Sequence, residues 1–480
     1  MPVTRSEPTH RVGWTFAISS IALFMAALDN LVVTTALPVI RQSFKADLSE
    51  LEWIVNAYTL TFAVLLLTGA ALGDRFGRKR MFVIGLAIFT TGSAIAALSS
   101  SINMLIAARA IQGLGGAILT PLTLTILSAA VPPQRRAVAL GAWGAVGGLA
   151  IAIGPLVGGA IAEGLAWQWV FWINVPIGLF AIPLALVFLT ETYGPKQRLD
   201  LPGLGIITAG LFSLVYGLVR GNELGWGSTE IEVALGLGFV GILAFIGWEA
   251  RTAEPMLPLR MFRSRSFSSA NAASLLMFFG MFGSIFLLAQ FFQVVQHYSP
   301  FQAGLRTLPW TLMPIFVAPT AGILSTRTGA RPLIVAGLAL QAIALAYLSF
   351  VTTPTVEYLV IAPAFVIAGI GMGLFFAPIA NVVLSAVRHE EEGKASGANN
   401  AIREIGGVFG VAVLAAIFSA NGSYASGQAF VDGMIPALRV GAVFVAVGAV
   451  VALGIAARVR SAAPATETVP VESDIEIAVA

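Results

Sequence analysis

Apolar runs of about 20 residues, broken by short polar gaps, follow one another along almost the whole chain. By length and hydropathy they predict membrane-spanning helices near 13–38, 52–72, 81–99, 103–130, 137–162, 169–190 and 202–220. Seven more follow near 232–249, 267–294, 304–325, 332–351, 357–387, 395–419 and 436–457. Outer-membrane β-strands would be shorter and would alternate apolar with polar positions. The fold class expected is an all-α polytopic membrane protein with fourteen spans. The first run is too long for a signal-peptide core and lacks a clear cleavage site, so it is read as a retained span.

The gaps alternate in charge. "GDRFGRKR", "PPQRR", "YGPKQR", "EARTAEPMLPLRMFRSR", "STRTGAR" and "RHEEEGK" fall on one side, and with the two termini they hold roughly twenty of the 27 Lys and Arg. The positive-inside rule puts that side, and both termini, in the cytoplasm of a cell (inner) membrane protein. The polar, acidic end "SAAPATETVPVESDIEIAVA" is expected to be disordered.

The chain also repeats itself. "GDRFGRKRMFVIG" (73–85) aligns with "STRTGARPLIVAG" (325–337), matching Arg75 to Arg327, Gly77 to Gly329, Lys79 to Arg331 and Gly85 to Gly337. Six spans therefore recur in one orientation, with two inserted between the copies. The expected organisation is a cytoplasmic N-terminus (1–12), a six-helix bundle (13–190), two extra helices with linkers (191–266), a second six-helix bundle (267–457) and a tail (458–480). Parallel six-helix halves place a transporter's binding site between them near mid-depth.

Composition narrows the chemistry. The chain is 57% hydrophobic and 11% charged, where a soluble protein carries about 25% charged residues. It has no cysteine, which excludes disulfides and thiolate-held metals. The net charge of +3 reflects loop arginines and does not indicate a nucleic-acid partner. No Walker loop, HExxH or serine elbow occurs, so neither ATP drive within the chain nor an enzyme is expected, and no cofactor or metal.

Asp29, within "FMAALDNLVVTTALP", is an acid inside an apolar run. With the first helix ending near Pro38, it lies about 13 Å from the outer end, and Arg109 lies about 10 Å into the fourth helix from the same face. The two are read as the only acid and base deep in the first half, able to pair and keep both charges out of lipid. They suit either a static ion pair or a proton site, because burial disfavours a carboxylate's charge and a nearby arginine favours it. The three histidines lie in loops or at span ends, so a proton relay would need carboxylates. Glu404, beside Arg403 in "NNAIREIGGVFG", is the second candidate.

Met277, Phe278, Met281, Phe282, Gln290 and Gln293 fall on the ninth span. Asn30, Tyr58, Gln112, Trp143, Phe375 and Asn381 fall on others. Each also suits ordinary packing; together they would line a roomy cavity that re-packs around varied ligands. Asp74 and Arg78 stand at i,i+4 in "GDRFGRKR". Gly144, Gly148, Gly154 and Gly158 form small-residue stripes that allow close helix packing, and Pro155 should kink the span.

Taken in order, these motifs resemble the major facilitator superfamily, and within it the fourteen-helix drug:proton antiporters, over about residues 10–460. "LDNLVVTTALP" is similar to that group's helix 1 signature, and "GDRFGRKR" to the superfamily's loop between helices 2 and 3. "RAIQGLGGA", "GLAIAIGPLVGG" and "WVFWINVPIG" resemble its helix 4, 5 and 6 motifs. The resemblance implies multidrug efflux, and hence antibiotic resistance, by a monomer in the lipid bilayer. It implies that small-molecule drugs are exchanged for protons by alternating access, with the proton gradient as energy source. It assigns coupling to Asp29 and Arg109. It makes Gly73, Asp74, Arg75, Gly77, Arg78 and Lys79 a latch between the halves. Gly144, Gly148, Gly154, Pro155, Gly158 and Gly159 become an exporter gate or seal. Thr326, where the first copy has Asp74, puts a second latch in doubt. Rival expectations are export of one endogenous antibiotic, lipid or metabolite, and nutrient symport.

Overall fold

The computed structural model describes residues 9–194, 199–387 and 391–456. The tail and the first eight residues lie outside it, as do the side chains of Asn30 and Thr326. Fourteen helices among the described residues are long and apolar enough to cross a membrane, and none of those residues forms a strand. In chain order they are α1 (Val12–Phe44), α2 (Leu48–Phe76), α3 (Arg78–Ala97), α4 (Ile102–Ala130), α5 (Ala142–Gly164), α6 (Trp169–Phe188) and α7 (Leu201–Leu224). Then follow α8 (Thr229–Glu249), α9 (Arg265–Val295), α10 (Pro300–Ser325), α11 (Ala330–Val351), α12 (Tyr358–Ser385), α13 (Glu392–Asn421) and α14 (Gly427–Ala452).

One boundary differs from the expectation in a way that matters. Pro38 does not end α1; it sits inside the helix, which runs on to Phe44. Proline is tolerated in membrane helices because neighbours re-satisfy the freed backbone groups. The connection to α2 is therefore only three residues long. Asp47 ends it with a capping box: its Oδ1 accepts from the Glu50 amide at 2.8 Å, while its own amide donates to Glu50 Oε2 at 2.9 Å. Such a box satisfies two orphan donors at the helix start.

The repeat is visible in the backbone. Ser299 and Gln302 form a second capping box at the start of α10, at the same sequence offset from Asp47 and Glu50 as Gly329 is from Gly77. Gly77 and Gly329 end α2 and α10 with φ of 105° and 85°, values that disfavour any side chain. Each amide reaches back to the carbonyl four residues earlier, Gly73 and Ser325, at 3.0 Å.

Helices α1 to α6 pack together, and so do α9 to α14. The α7–α8 hairpin leans on α2 and α13 through Leu211, Val215 and Val219. Its outer surface exposes Phe239, Val240 and Leu243, as a lipid-facing helix should.

The two halves meet unevenly. Helices α2 and α13 stay in contact along their length: Leu60 and Val64 pack on Val408 and Ala412, and Leu67 covers Gly397. Helices α5 and α10 touch only toward the end opposite the basic loops. There, a Cβ on Gly159 would come within 2.2 Å of the Pro300 carbonyl, and one on Gly304 within 2.2 Å of the Pro155 carbonyl. Thr311 donates to the Ala152 carbonyl at 2.8 Å. Toward the basic end, Gly144 and Gly148 face open space. The seam is sealed at one end and parts at the other.

Candidate functional site

Asp29 and Arg109 meet. The carboxylate Oδ2 accepts from the Arg109 guanidinium, and both side chains are fully buried. The Asp29 Oδ1 accepts from Asn174 Nδ2 at 2.9 Å and from Gln112 Nε2 at 3.2 Å. Gln112 also accepts from Arg109 at 2.9 Å and donates to the Ser93 hydroxyl at 2.6 Å. Arg109 Nε donates to the Ile54 carbonyl at 3.2 Å, and its guanidinium lies 4.3 Å from the Tyr58 ring centroid. Five helices thus converge on one pair. The aspartate accepts from three side chains, which offsets part of the cost of removing both charges from water.

The local sequence explains this placement. Arg109 and Gln112 are one turn apart on α4 and share a face. α6 forms a turn at Ile173, whose amide still donates to the Trp169 carbonyl at 3.1 Å, and Asn174 opens its second segment with its side chain buried. Sequence reasoning missed Asn174 and Ser93, since a small polar residue in an apolar run carries no signal of its own. It also missed a second buried acid: Glu52 is 2% exposed, so Asp29 is not the only one in the first half.

In the second half, Arg403 turns toward its own bundle. Its guanidinium lies 4.4 Å from Phe278 and 5.0 Å from Phe376, and it donates to Asn400 at 3.2 Å. Glu404 is half-buried.

The other candidates separate by place. Met277, Phe278, Met281 and Phe375 are buried in packing; Phe282 and Trp143 are half-buried, and Asn381 is exposed. Gln290 and Gln293 belong to the sealed end. Gln290 accepts from the Tyr424 hydroxyl, and Gln293 donates across the seam to the Thr35 carbonyl at 2.8 Å. An apolar void between α1, α5, α9, α10 and α12 is lined by Leu31, Thr35, Pro155, Leu288, Trp310 and Phe365, none of them among the expected cavity residues.

The glycine motif divides in two. Gly154 and Gly158 accommodate Leu31 and Val32 of α1, while Gly159 and Pro155 meet α10. The loop motif binds within its own half in this conformation. Arg78 and Asp74 pair at 2.8 Å, and Asp74 O accepts from Gly194 at 3.1 Å. Glu191, also unforeseen, accepts from the amides of Lys79 and Arg80 at 2.9 and 3.1 Å and so caps α3. Lys79 Nζ donates to the Leu186 carbonyl at 2.6 Å.

Two helical bundles sealed at one end of their seam, with an ion pair buried inside one of them, have the build of a membrane transporter. The chain belongs to the Major Facilitator Superfamily, whose profile matches residues 19–411. It is 35% identical to the multidrug resistance protein Stp of Mycobacterium tuberculosis (strain CDC 1551 / Oshkosh), covering 85% of this chain and 76% of that one. It is 34% identical to the tetracenomycin C resistance and export protein of Streptomyces glaucescens, over 84% and 75%. With the cephamycin export protein CmcT of Amycolatopsis lactamdurans it shares 38% identity over 88% of each. Among solved structures, an inward-facing bacterial homologue of the lysosomal transporter Spinster shares the fold at TM-score 0.66 and 16% identity, over 93% and 98% of the two chains. A peptide transporter of the POT family does so at 0.69 and 15%, over 95% of each.

Proposed function

We propose that this protein exports drugs or antibiotics across the cell membrane in exchange for protons. The fully buried Asp29–Arg109 pair is the observation that carries this reading, and the export proteins among its relatives support it. Asp29 is the proton carrier. Arg109, Gln112 and Asn174 hold its carboxylate when the proton has left, and parting of this cluster admits the next one. Substrates are lipophilic, and Glu404 serves those that are cationic. The basic loops face the cytoplasm, so the conformation described is open inward. A chain dedicated to one antibiotic is the second reading, favoured by the single-compound names of two of these relatives.

The test is drug-induced proton release from purified protein. Asp29→Asn inserts and folds, because an amide costs less in lipid than a charge, but it releases fewer protons than wild type and does not drive uphill export. Release equal to wild type would move the carrier role to Glu404. For orientation, a cysteine at Gly225 is labelled from outside and one at Ser264 only after permeabilisation.

A further inference from the structure

Glu52, Asn56, Leu60 and Val64 stand four residues apart on α2 and share one face of the helix. Leu60 and Val64 of that face pack on Val408 and Ala412 of α13. The antiparallel course of α13 brings its next turns toward the sealed end past Asn56 and Glu52. Over Ile405–Asn421, α13 offers alanines and no titratable side chain.

Both side chains are buried without satisfaction. Glu52 is 2% exposed, and its Oε2 has no hydrogen-bond partner. Asn56 is fully buried, and neither its amide nitrogen nor its oxygen has one. No cation pairs with Glu52 among the described residues. Asp47, at the N-cap of its own helix, is a second acid nearby. Arg41 of α1 lies 3.5 Å from the ring centroid of Tyr424, which is within electrostatic reach of Glu52. Arg220 of α7 pairs with Glu223, and His297 beyond α9 is exposed. An ionised carboxylate in this setting is far costlier than a neutral carboxyl. Protonation gives the carboxyl a donor that the carboxylate lacks, which suits a site holding an unpaired amide oxygen such as Asn56 Oδ1, to which Glu52 is not bonded in this conformation.

We propose that Glu52 is a second proton-binding residue, separate from Asp29, which is a carboxylic acid while the α2–α13 seam is sealed and ionises once that end parts and water enters. It rests on alternating access but not on the identity of the substrate or on Asp29 as carrier. With the sealed end outward, a proton taken from outside closes the outer side. Raising pH therefore opens that end, and lowering pH shuts it.

Gln42 and Ala425 are exposed at the sealed end on opposite halves, and the chain has no native cysteine to mask. A spin-label pair at cysteines placed there reports the separation in full-length protein from about pH 5 to about pH 9. The wild type gains a longer-distance population as pH rises. Glu52→Gln and Glu52→Leu each lower that population at high pH by about tenfold or more, while Asp432→Asn, at an exposed acid of the same end, keeps the response. A wild-type response in the Glu52 variants overturns the proposal. So does a wild type that never opens with pH, or a response lost in Asp432→Asn and kept in the Glu52 variants. A protein that shows the Glu52-dependent opening but exports nothing against a proton gradient would refute the export reading alone.

Discussion

Arg109 in the first half and Arg403 in the second are both held within membrane helices, but by different chemistry. Arg109 is fully buried and has a carboxylate, a carbonyl and an amide oxygen around it. Arg403 is partly exposed and rests on two aromatic faces, with the Asn400 side-chain amide as acceptor and its Nε without a partner. The first arrangement is specific, because a buried charge pair tolerates few alternatives. The second is permissive, because an aromatic face attracts a cation over a broad area. Under the proposed exchange for protons, the half that holds its charge tightly is the one to store and release a proton, and the half that holds it loosely the one to meet varied ligands.

Truncating each arginine is the strongest way to break this contrast. Arg109→Ala leaves Asp29 buried without its cation and is expected to cost on the order of 3–5 kcal/mol. Arg403→Ala loses ring contacts and one hydrogen bond, roughly 1–2 kcal/mol. Thermal melts of the purified variants measure both, and equal losses would remove the distinction.

The two helix-ending glycines should respond more alike. Gly77→Ala and Gly329→Ala each force a side chain into a glycine-only conformation, at about 1–3 kcal/mol. Gly77→Ala should be the worse of the two, since its Cβ would also stand 2.8 Å from the Glu191 carboxyl carbon. A melt in which Gly329→Ala is silent would show that the copies share shape but not strain.

The mildest effects belong to the loop. Asp74→Asn and Glu191→Gln should slow export while leaving equilibrium drug affinity within a few-fold, because the bonds of both residues join the α2–α3 loop to residues 186–194 and reach no candidate ligand side chain. Affinity and export rate measured on the same preparation separate the two readings. A large affinity loss at normal protein levels would argue against a switching role.

The fourteen spans were legible from sequence because hydropathy acts locally; the Asp29–Arg109 meeting was foreseen as well, although the depth match behind it was counted from a helix end at Pro38 that α1 runs past. Asn174 and Ser93 were not, because their importance comes only from which helices neighbour α6 and α3. Glu52 was hidden by Pro38. A helix stopped at that proline leaves Glu52 at an apparent span edge; the continued α1 and the capped start of α2 draw it inside. Glu191 lies beyond the apolar run, in a linker whose fold is dictated by the start of α3.

The crossing of α5 and α10 has a mechanical consequence. Carbonyl oxygens of Pro155 and Pro300 sit directly against glycines, so the helices touch backbone to backbone and leave no room for a compressible side chain. Such a contact is a fulcrum. Gly144 lies 15 residues from Gly159, a lever arm of about 22 Å at 1.5 Å per residue. A tilt of about 10° at the crossing swings the far end of α5 by about 4 Å, enough to admit or expel a water layer while the outer seal holds; opening of that seal requires the backbone contact itself to separate.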